Sequence, residues 1–517
     1  MNQAALRASK RGVSGILLSL PALGAIQLVC LVRFCRLPLD AKLARIPDDG
    51  FYYLNLADNF ARRGEWTFDL GISHTTGFHP LYAWIAAALS QITADPDLLV
   101  SLHGALGFAL TWFAAGCTLL VLGHDARAAC GVMLVFGGGA CLSCPLMLME
   151  WPFVVATQAL LVLLVLRGRA RASLVVGVLA VLARVDAIVP IGLCALGVVI
   201  AGRGERFRAA LFAMAGALGT FLGYGLHLLH TTGSFFQGSA RMKAYWTSTQ
   251  GIDPLRLLGL LWRTIPFGWW AIETPSPWLA WTGALVLGSA VAIALARLRR
   301  ALPARRWMPV GERHLVPMLP ALAVVLGTYT VYALRMSGAQ AWYTAHFIVP
   351  MALLCGMGFS ALFRATPLRV PGTAVLVMAV LSFIGARVPI WPHHRLLGTA
   401  GQWVRDTGNR AVAFNAGIVG YFSASRVVNL DGLVNDDIQP YIFSGQTACY
   451  IEAVGADVLV DVDCTGRPER ELQTFDHGPL ARATKLVHTF GRVPEEPRCL
   501  VAAWQLDRRA LRQMCGG

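Results

Sequence analysis

Charge is scarce in this chain: only 14% of its 517 residues are Asp, Glu, Lys or Arg, while 56% are hydrophobic. That composition excludes an ordinary soluble protein and a disordered one. Acids are the scarcer sign, 29 against 44 bases, and the net charge is +15. The basic excess does not point to nucleic acid, because no aromatic-basic interleave or binding motif accompanies it. It falls instead in clusters between apolar runs, such as Arg167, Arg169 and Arg171, then Arg203, Arg206 and Arg208, then the arginines from Arg297 to Arg313, as expected of cytoplasmic loops of a membrane protein. No Cys or His grouping has zinc-ligand spacing. Cys141 and Cys144 have redox-motif spacing but lie in a glycine-rich apolar run without a βαβ context. No small-residue cleavage site follows the first apolar run, Val13 to Phe34, which therefore reads as an uncleaved first helix behind Arg7, Lys10 and Arg11.

The apolar runs predict a polytopic α-helical membrane protein with about 11 to 13 transmembrane helices. Spans are expected near 13–34, 97–122, 129–148, 151–167, 173–185, 187–201, 209–229, 277–297, 315–334, 343–363 and 371–390. Eleven crossings put the N-terminus in the cytoplasm and the C-terminus outside. Leu81 to Thr93 is short enough for an interfacial or re-entrant helix. After Trp391 the composition changes, and residues 391–517 hold 13 bases and 14 acids with no run long enough to span. Residues 1–390 thus read as the membrane domain, with a first extracytoplasmic loop at about 36–96. Residues 391–517 read as a small extracytoplasmic α/β domain, with a helix at 402–406 and strands near 411–414, 427–430 and 457–462. Its four cysteines, Cys449, Cys464, Cys499 and Cys515, allow two disulfides in three pairings.

The densest chemistry lies in the polar stretch 46–84. Asp48 and Asp49 open a helix whose spacing gathers Asp48, Tyr52, Asn55 and Asn59 on one face. Acids at a helix start also suit the helix dipole, a purely structural alternative. The order Asp-Asp-x-x-Tyr-Tyr, then Asn59, Gly64, Phe68-Asp69 and Thr76-Gly77-Phe78-His79-Pro80-Leu81, resembles the first extracytoplasmic loop of GT-C glycosyltransferases. The likeness is to bacterial members that use polyprenyl-phosphate sugars, of the protein mannosyltransferase and aminoarabinose transferase type. Met149-Glu150 resembles a Gly-Met-Glu motif of that family with Leu148 in place of glycine, and residues 414–436 resemble its C-terminal part.

The resemblance implies a GT-C fold and a catalytic carboxylate on the first-loop helix. Asp48 is the first choice as general base, with Asp49 orienting it or binding acceptor hydroxyls; two carboxyls this close raise the proton affinity of one. Positive charge for the leaving lipid phosphate is expected from His79, Lys243, Arg241 and Arg335, and substrate contacts from Tyr52, Tyr53, Asn55, Glu150 and Tyr343. Arg184 and Asp186 read as a structural brace, and Asp431-Gly432 as a turn. No cofactor is required by a departing monophosphate. A divalent metal is compatible with the two aspartates but is not expected. The partners implied are a polyprenyl-phosphate sugar, a glycan, glycolipid or protein acceptor of the envelope, and the lipid bilayer of the bacterial inner membrane. Two rival classes share the many spans: a transporter or flippase, which should show two matching halves that are not seen, and an inactive scaffold of the same fold.

Overall fold

The computed structural model describes residues 3–122, 125–201, 204–251, 318–335, 340–362, 391–463, 480–492 and 499–515. Expected spans 277–297 and 371–390 lie outside the described residues. Long apolar segments form long helices, because a lipid-embedded backbone must satisfy its own amides. Among the described residues, Pro96–Leu122, Glu205–Thr232 and the segment Trp342–Ser360 are long and apolar enough to cross a membrane. Gln3–Cys35, Trp151–Leu166, Ala170–Ala183, Ile188–Ala201 and Met318–Arg335 are the other helices of the membrane half. Pro80–Ile92 has 13 residues, an interfacial length.

One expected span is corrected. The run 129–148 is not continuous: Ala126–Phe136 ends at Gly137, and the following turn of helix is bent from it by 62°. Three consecutive glycines, 137 to 139, and Pro145 explain the break, since glycine weakens a helix and proline lacks the amide that would extend it.

The C-terminal part carries a five-stranded sheet in the order β2-β1-β3-β5-β4, where β1 is Ala411–Ala413, β2 Val427–Asn429, β3 Val458–Asp463, β4 Thr484–Arg492 and β5 Leu500–Leu506. β1 runs parallel to β2 and β3, and β5 pairs antiparallel with β3 and β4. A disulfide joins Cys449 to Cys515, and Cys499 is also disulfide-bonded. Cys464 lies outside the described residues.

The polar loop after the first helix and the C-terminal sheet share one core. Helix Asp48–Arg63 has acids in its first turn, arginines in its last and a left-handed Gly64 at its end, so local signals start and stop it. Its Phe51, Leu54 and Leu56 are fully buried in the cluster that contains Val412, Val419, Val428 and Val460. His394 meets the carbonyl of Ile46 at 2.7 Å, and the Trp391 amide donates to the Ala44 carbonyl at 2.9 Å. The contact is close at Gly417, where an added Cβ would lie 2.1 Å from the Asp48 carbonyl oxygen. Gly417→Ala is expected to force the two elements apart at a cost of about 1–3 kcal/mol. The measurement is a lowered apparent Tm of the purified protein in detergent; an unchanged Tm would mean that this contact does not hold the two parts together.

Candidate active site

Helix Asp48–Arg63 serves two environments. The face made of Asp48, Tyr52, Asn55 and Asn59 docks onto the C-terminal part. Asp48 accepts the backbone N–H of Gly417 at 2.7 Å and of Ile418 at 2.8 Å, one on each carboxyl oxygen. The Tyr52 hydroxyl donates to Asp431 at 2.6 Å and accepts from the Asn429 amide at 3.2 Å. Asn55 donates to the Phe68 carbonyl and accepts from Ser425, both at 2.7 Å. Asn59 donates to the Thr67 carbonyl at 2.7 Å and to Ser425 at 3.0 Å. Asp48 and Asn55 are bonded in this way to the C-terminal part and to the loop after the helix, and neither lines either of the two chambers described next. Asp431 and Gly432 do form a turn, with Asp431 accepting from the Leu433 amide at 2.7 Å; the same residue also receives Tyr52.

Two connected chambers lie on the other side of the helix. The smaller, of about 440 Å³, is lined by Asp49, Tyr52, Tyr53, His79, Glu150 and Arg184 among others, and is walled by Trp342 and by Leu433 and Val434 from the C-terminal part. The larger, of about 1390 Å³, combines polar Arg184, Asp186, Tyr224, Arg241, Tyr332 and Tyr343 with apolar Ile188, Phe221, Leu228, Phe235, Phe236 and Val331. His79, Arg184, Ser239 and Lys243 line both chambers and form their junction.

An ion-pair chain braces that junction. Arg184 contacts Glu150 at 2.6 Å and Asp186 at 2.9 Å. Asp186 is also held by His346 at 3.1 Å and by the Tyr332 hydroxyl at 2.6 Å. Tyr53 donates to Glu150 at 3.2 Å, and His79 stands 3.7 Å from it. Each buried charge thus has an opposite partner, as a low-dielectric site requires. Lys243 donates to the Tyr343 hydroxyl, and the Arg184 guanidinium lies over the Tyr343 ring at 4.3 Å. Glu150 reaches the junction from a turn in which Leu148 has φ 54°, the left-handed region that favours the glycine this position has in the resembled motif.

Three carboxyls surround Tyr52, and burial raises all of them. Asp48 is pushed up to about 8 and Asp431 to about 7, whereas Asp49 reaches only about 6 because Lys243 opposes the effect of burial. Asp49 is therefore the member most readily ionised near neutral pH. Burial lowers His79 to about 4, which makes it a neutral imidazole rather than the cation the sequence suggested. Against burial, Tyr343 and Asp49 keep Lys243 above its ordinary value and hence charged.

Of the residues expected from sequence, Asp49, Tyr52, Tyr53, His79, Glu150 and Lys243 come together at the smaller chamber, and Arg241 and Tyr343 at the larger. Arg335 ends helix Met318–Arg335, and its side chain lies outside the described residues. Sequence reading assigned no chamber role to Arg184, Trp342, Leu433 or Val434. Arg184 was signalled by its cost inside an apolar run; the other three carry no local signal. Among the described residues, no three His, Cys, Asp or Glu side chains converge to hold a metal ion.

This architecture is the GT-C fold. Solved structures similar to the chain include two of one protein. ArnT from Cupriavidus metallidurans bound to undecaprenyl phosphate has a TM-score of 0.57 at 13% identity, covering 93% of this chain and 97% of that one. ArnT from Cupriavidus metallidurans in the apo state has a TM-score of 0.54 at 12% identity with the same coverage, 93% and 97%. Residues 390–508 match a family model described as Domain of unknown function (DUF8728). No curated protein matches the chain.

The two adjacent aspartates are separable by experiment. Asp48→Asn replaces one of the two oxygens that accept these amides by an NH₂ donor and is expected to destabilise the protein by about 1–3 kcal/mol. Asp49→Asn relieves a buried charge and should leave the apparent Tm near that of wild type. Thermal unfolding of both variants in detergent decides the assignment: an equal fall in both would undo it.

Proposed function

We propose that this protein is an integral-membrane glycosyltransferase of the bacterial inner membrane. It transfers a sugar from a polyprenyl-phosphate donor to a hydroxyl of an envelope glycan, glycolipid or protein on the extracytoplasmic side. The observation that carries this reading is the meeting of two unlike chambers at one basic junction, with the Asp49 carboxylate in the smaller and a wide, largely apolar wall in the larger. A lipid phosphate has that dual character: an apolar chain and an anionic head. The similar ArnT structure holds undecaprenyl phosphate, which supports the same ligand class here.

In this mechanism the acceptor hydroxyl lies in the smaller chamber and loses its proton to Asp49 as its oxygen attacks the anomeric carbon. The bond from that carbon to the phosphate oxygen breaks, and its electron pair leaves with the lipid phosphate. A single displacement inverts the anomeric configuration. Lys243 and Arg241 meet the departing charge in a site where exclusion of water strengthens each contact. Glu150, neutralised by Arg184, fixes Tyr53 and with it one wall of the acceptor chamber. His79 supplies a neutral ring N–H. No metal is assigned a part in this scheme. The first loop and residues 391–517 lie together on the extracytoplasmic face, and the N-terminus lies in the cytoplasm.

The test incubates purified protein with a panel of polyprenyl-phosphate sugars and envelope extracts and follows donor and product by mass spectrometry. Asp49→Asn should lower turnover by about 10²–10⁴-fold while still binding donor. Equal turnover by wild type and Asp49→Asn would move the base elsewhere, and the absence of turnover with every donor would overturn the transferase reading. Because a base acts only when deprotonated, the wild-type rate should rise with pH through about 6, the value to which burial raises Asp49. A rate that falls over that range would contradict this role. Lys243→Met removes a charge-assisted contact of about 1.5–3 kcal/mol, so KM for the donor should rise by about ten- to a hundredfold; an unchanged KM would remove Lys243 from the phosphate site.

A further inference from the structure

One carboxylate stands at the edge of the larger chamber without a part in the chemistry above. Asp436, in the loop that follows β2, accepts from the Thr76 hydroxyl at 2.6 Å, and Thr76 in turn accepts the backbone N–H of Gly238 at 2.9 Å. The Asp436 amide donates to the His74 carbonyl at 2.8 Å, and Gln237 donates to the Phe78 carbonyl at 2.7 Å. Three segments distant in sequence are thereby clasped together: the Thr76–Pro80 motif, the start of helix Gly238–Gln250 and the C-terminal loop. The fit is tight, since a Cβ on Gly238 would lie 1.7 Å from an Asp436 carboxyl oxygen. The clasp fixes the carboxylate less than one helical turn from Arg241, whose Nη2 lies 3.9 Å away. Arg241 lines the chamber, and its buried Nε has no hydrogen-bond partner among the described residues.

We infer that Asp436 is a positioning residue and counter-charge for Arg241: it steers the guanidinium to the chamber mouth and weakens its hold on the lipid phosphate, so that the product is released. This rests on the donor class proposed above. A phosphate that reaches Arg241 has to displace a carboxylate that cannot retreat, because Thr76 and the Asp436 amide contact anchor it. Competition between two anions for one guanidinium, in a partly buried setting, corresponds to about a tenfold change in affinity. The Asp436 side chain is only 6% exposed, so solvent screens this effect little. Lys243 meets Tyr343 and the charge of Asp49 rather than Asp436 and supplies attraction without this counterweight.

The experiment titrates undecaprenyl phosphate into the full-length protein in detergent micelles and records Kd for wild type, Asp436→Asn, Arg241→Ala and the double variant. Asn keeps an acceptor for Thr76 while removing the charge. Asp436→Asn is expected to bind about tenfold more tightly and Arg241→Ala more weakly. Adding Asp436→Asn to Arg241→Ala should change Kd by less than about twofold, the pattern of two groups that act on each other. With a sugar-bearing donor, Asp436→Asn should lower both KM and kcat, a split that a merely structural defect would not produce. Asp436→Glu, which restores the charge, should return Kd toward wild type. Asp436→Ser, which also keeps an acceptor for Thr76, replaces the Asn variant if that fails to fold. Unchanged or weaker binding by Asp436→Asn, or the same gain without Arg241, would overturn the inference while leaving the donor class standing. Wild type that does not bind undecaprenyl phosphate at all would overturn both.

Discussion

The docking of helix Asp48–Arg63 against the C-terminal sheet is the constraint on which the rest of this structure depends. A carboxylate taken out of water must find donors, and Asp48 finds them in two consecutive backbone amides at the start of the helix that follows β1. Tyr52, one turn on, is held between Asp431 and Asn429. With these contacts made, the rotation of the helix is no longer free. Successive residues of an α-helix point about 100° apart, so anchoring Asp48 toward the sheet turns Asp49 toward the chambers. Two neighbouring aspartates thus acquire unlike surroundings from helix geometry alone, one bonded to the C-terminal part and one lining a chamber.

The second constraint is electrostatic. The junction between the chambers gathers Glu150, Arg184, Asp186 and Lys243 in a space that excludes most water, and such an assembly is stable only when charges alternate. Arg184 lies between Glu150 and Asp186, and His346 and Tyr332 complete the shell around Asp186. This arrangement largely cancels itself, and among the described residues Lys243 and Arg241, the latter beside Asp436, line the larger chamber outside it. It also accounts for His79, whose burial beside two cations makes protonation unfavourable even though Glu150 is near. What distinguishes the two chambers chemically is then their lining: carboxylate and hydroxyl groups in one, aliphatic and aromatic side chains beyond a basic rim in the other.

Much of this was legible before any coordinates, though unevenly. Asp49, Tyr53, His79 and Pro80 belong to one contiguous loop with a recognisable order, and Lys243 and Arg241 stand on one basic segment, so local pattern was enough to single them out. That the face of Asp48, Tyr52, Asn55 and Asn59 meets the C-terminal part was not legible, because periodicity tells which residues share a side and not what that side meets. Asn55 and Asn59 satisfy backbone carbonyls of residues 67 and 68 and a serine some 370 positions away. Leu433, Val434 and Asp436 had no local mark, since an apolar pair and an acid in a loop are common and their meaning comes from Gly77, Thr76 and Arg241 beside them. Leu148 was a departure from an expected glycine, yet the chain keeps the backbone conformation that the glycine would have favoured.

By itself, the sequence determined that the chain is largely helical with long apolar segments, that a polar loop opening on Asp48 and Asp49 follows the first of them, and that a mixed α/β part follows residue 390. Those conclusions rest on burial of apolar surface and on hydrogen bonding within one segment, both of which are local properties of composition and spacing. Only the tertiary structure decided which of two adjacent carboxylates faces a chamber, which cations line both chambers, and that the C-terminal loop forms a wall of the smaller one. Each of these depends on which donor or charge lies within a few ångströms, contributed by residues tens to hundreds of positions away, and no local pattern encodes that distance.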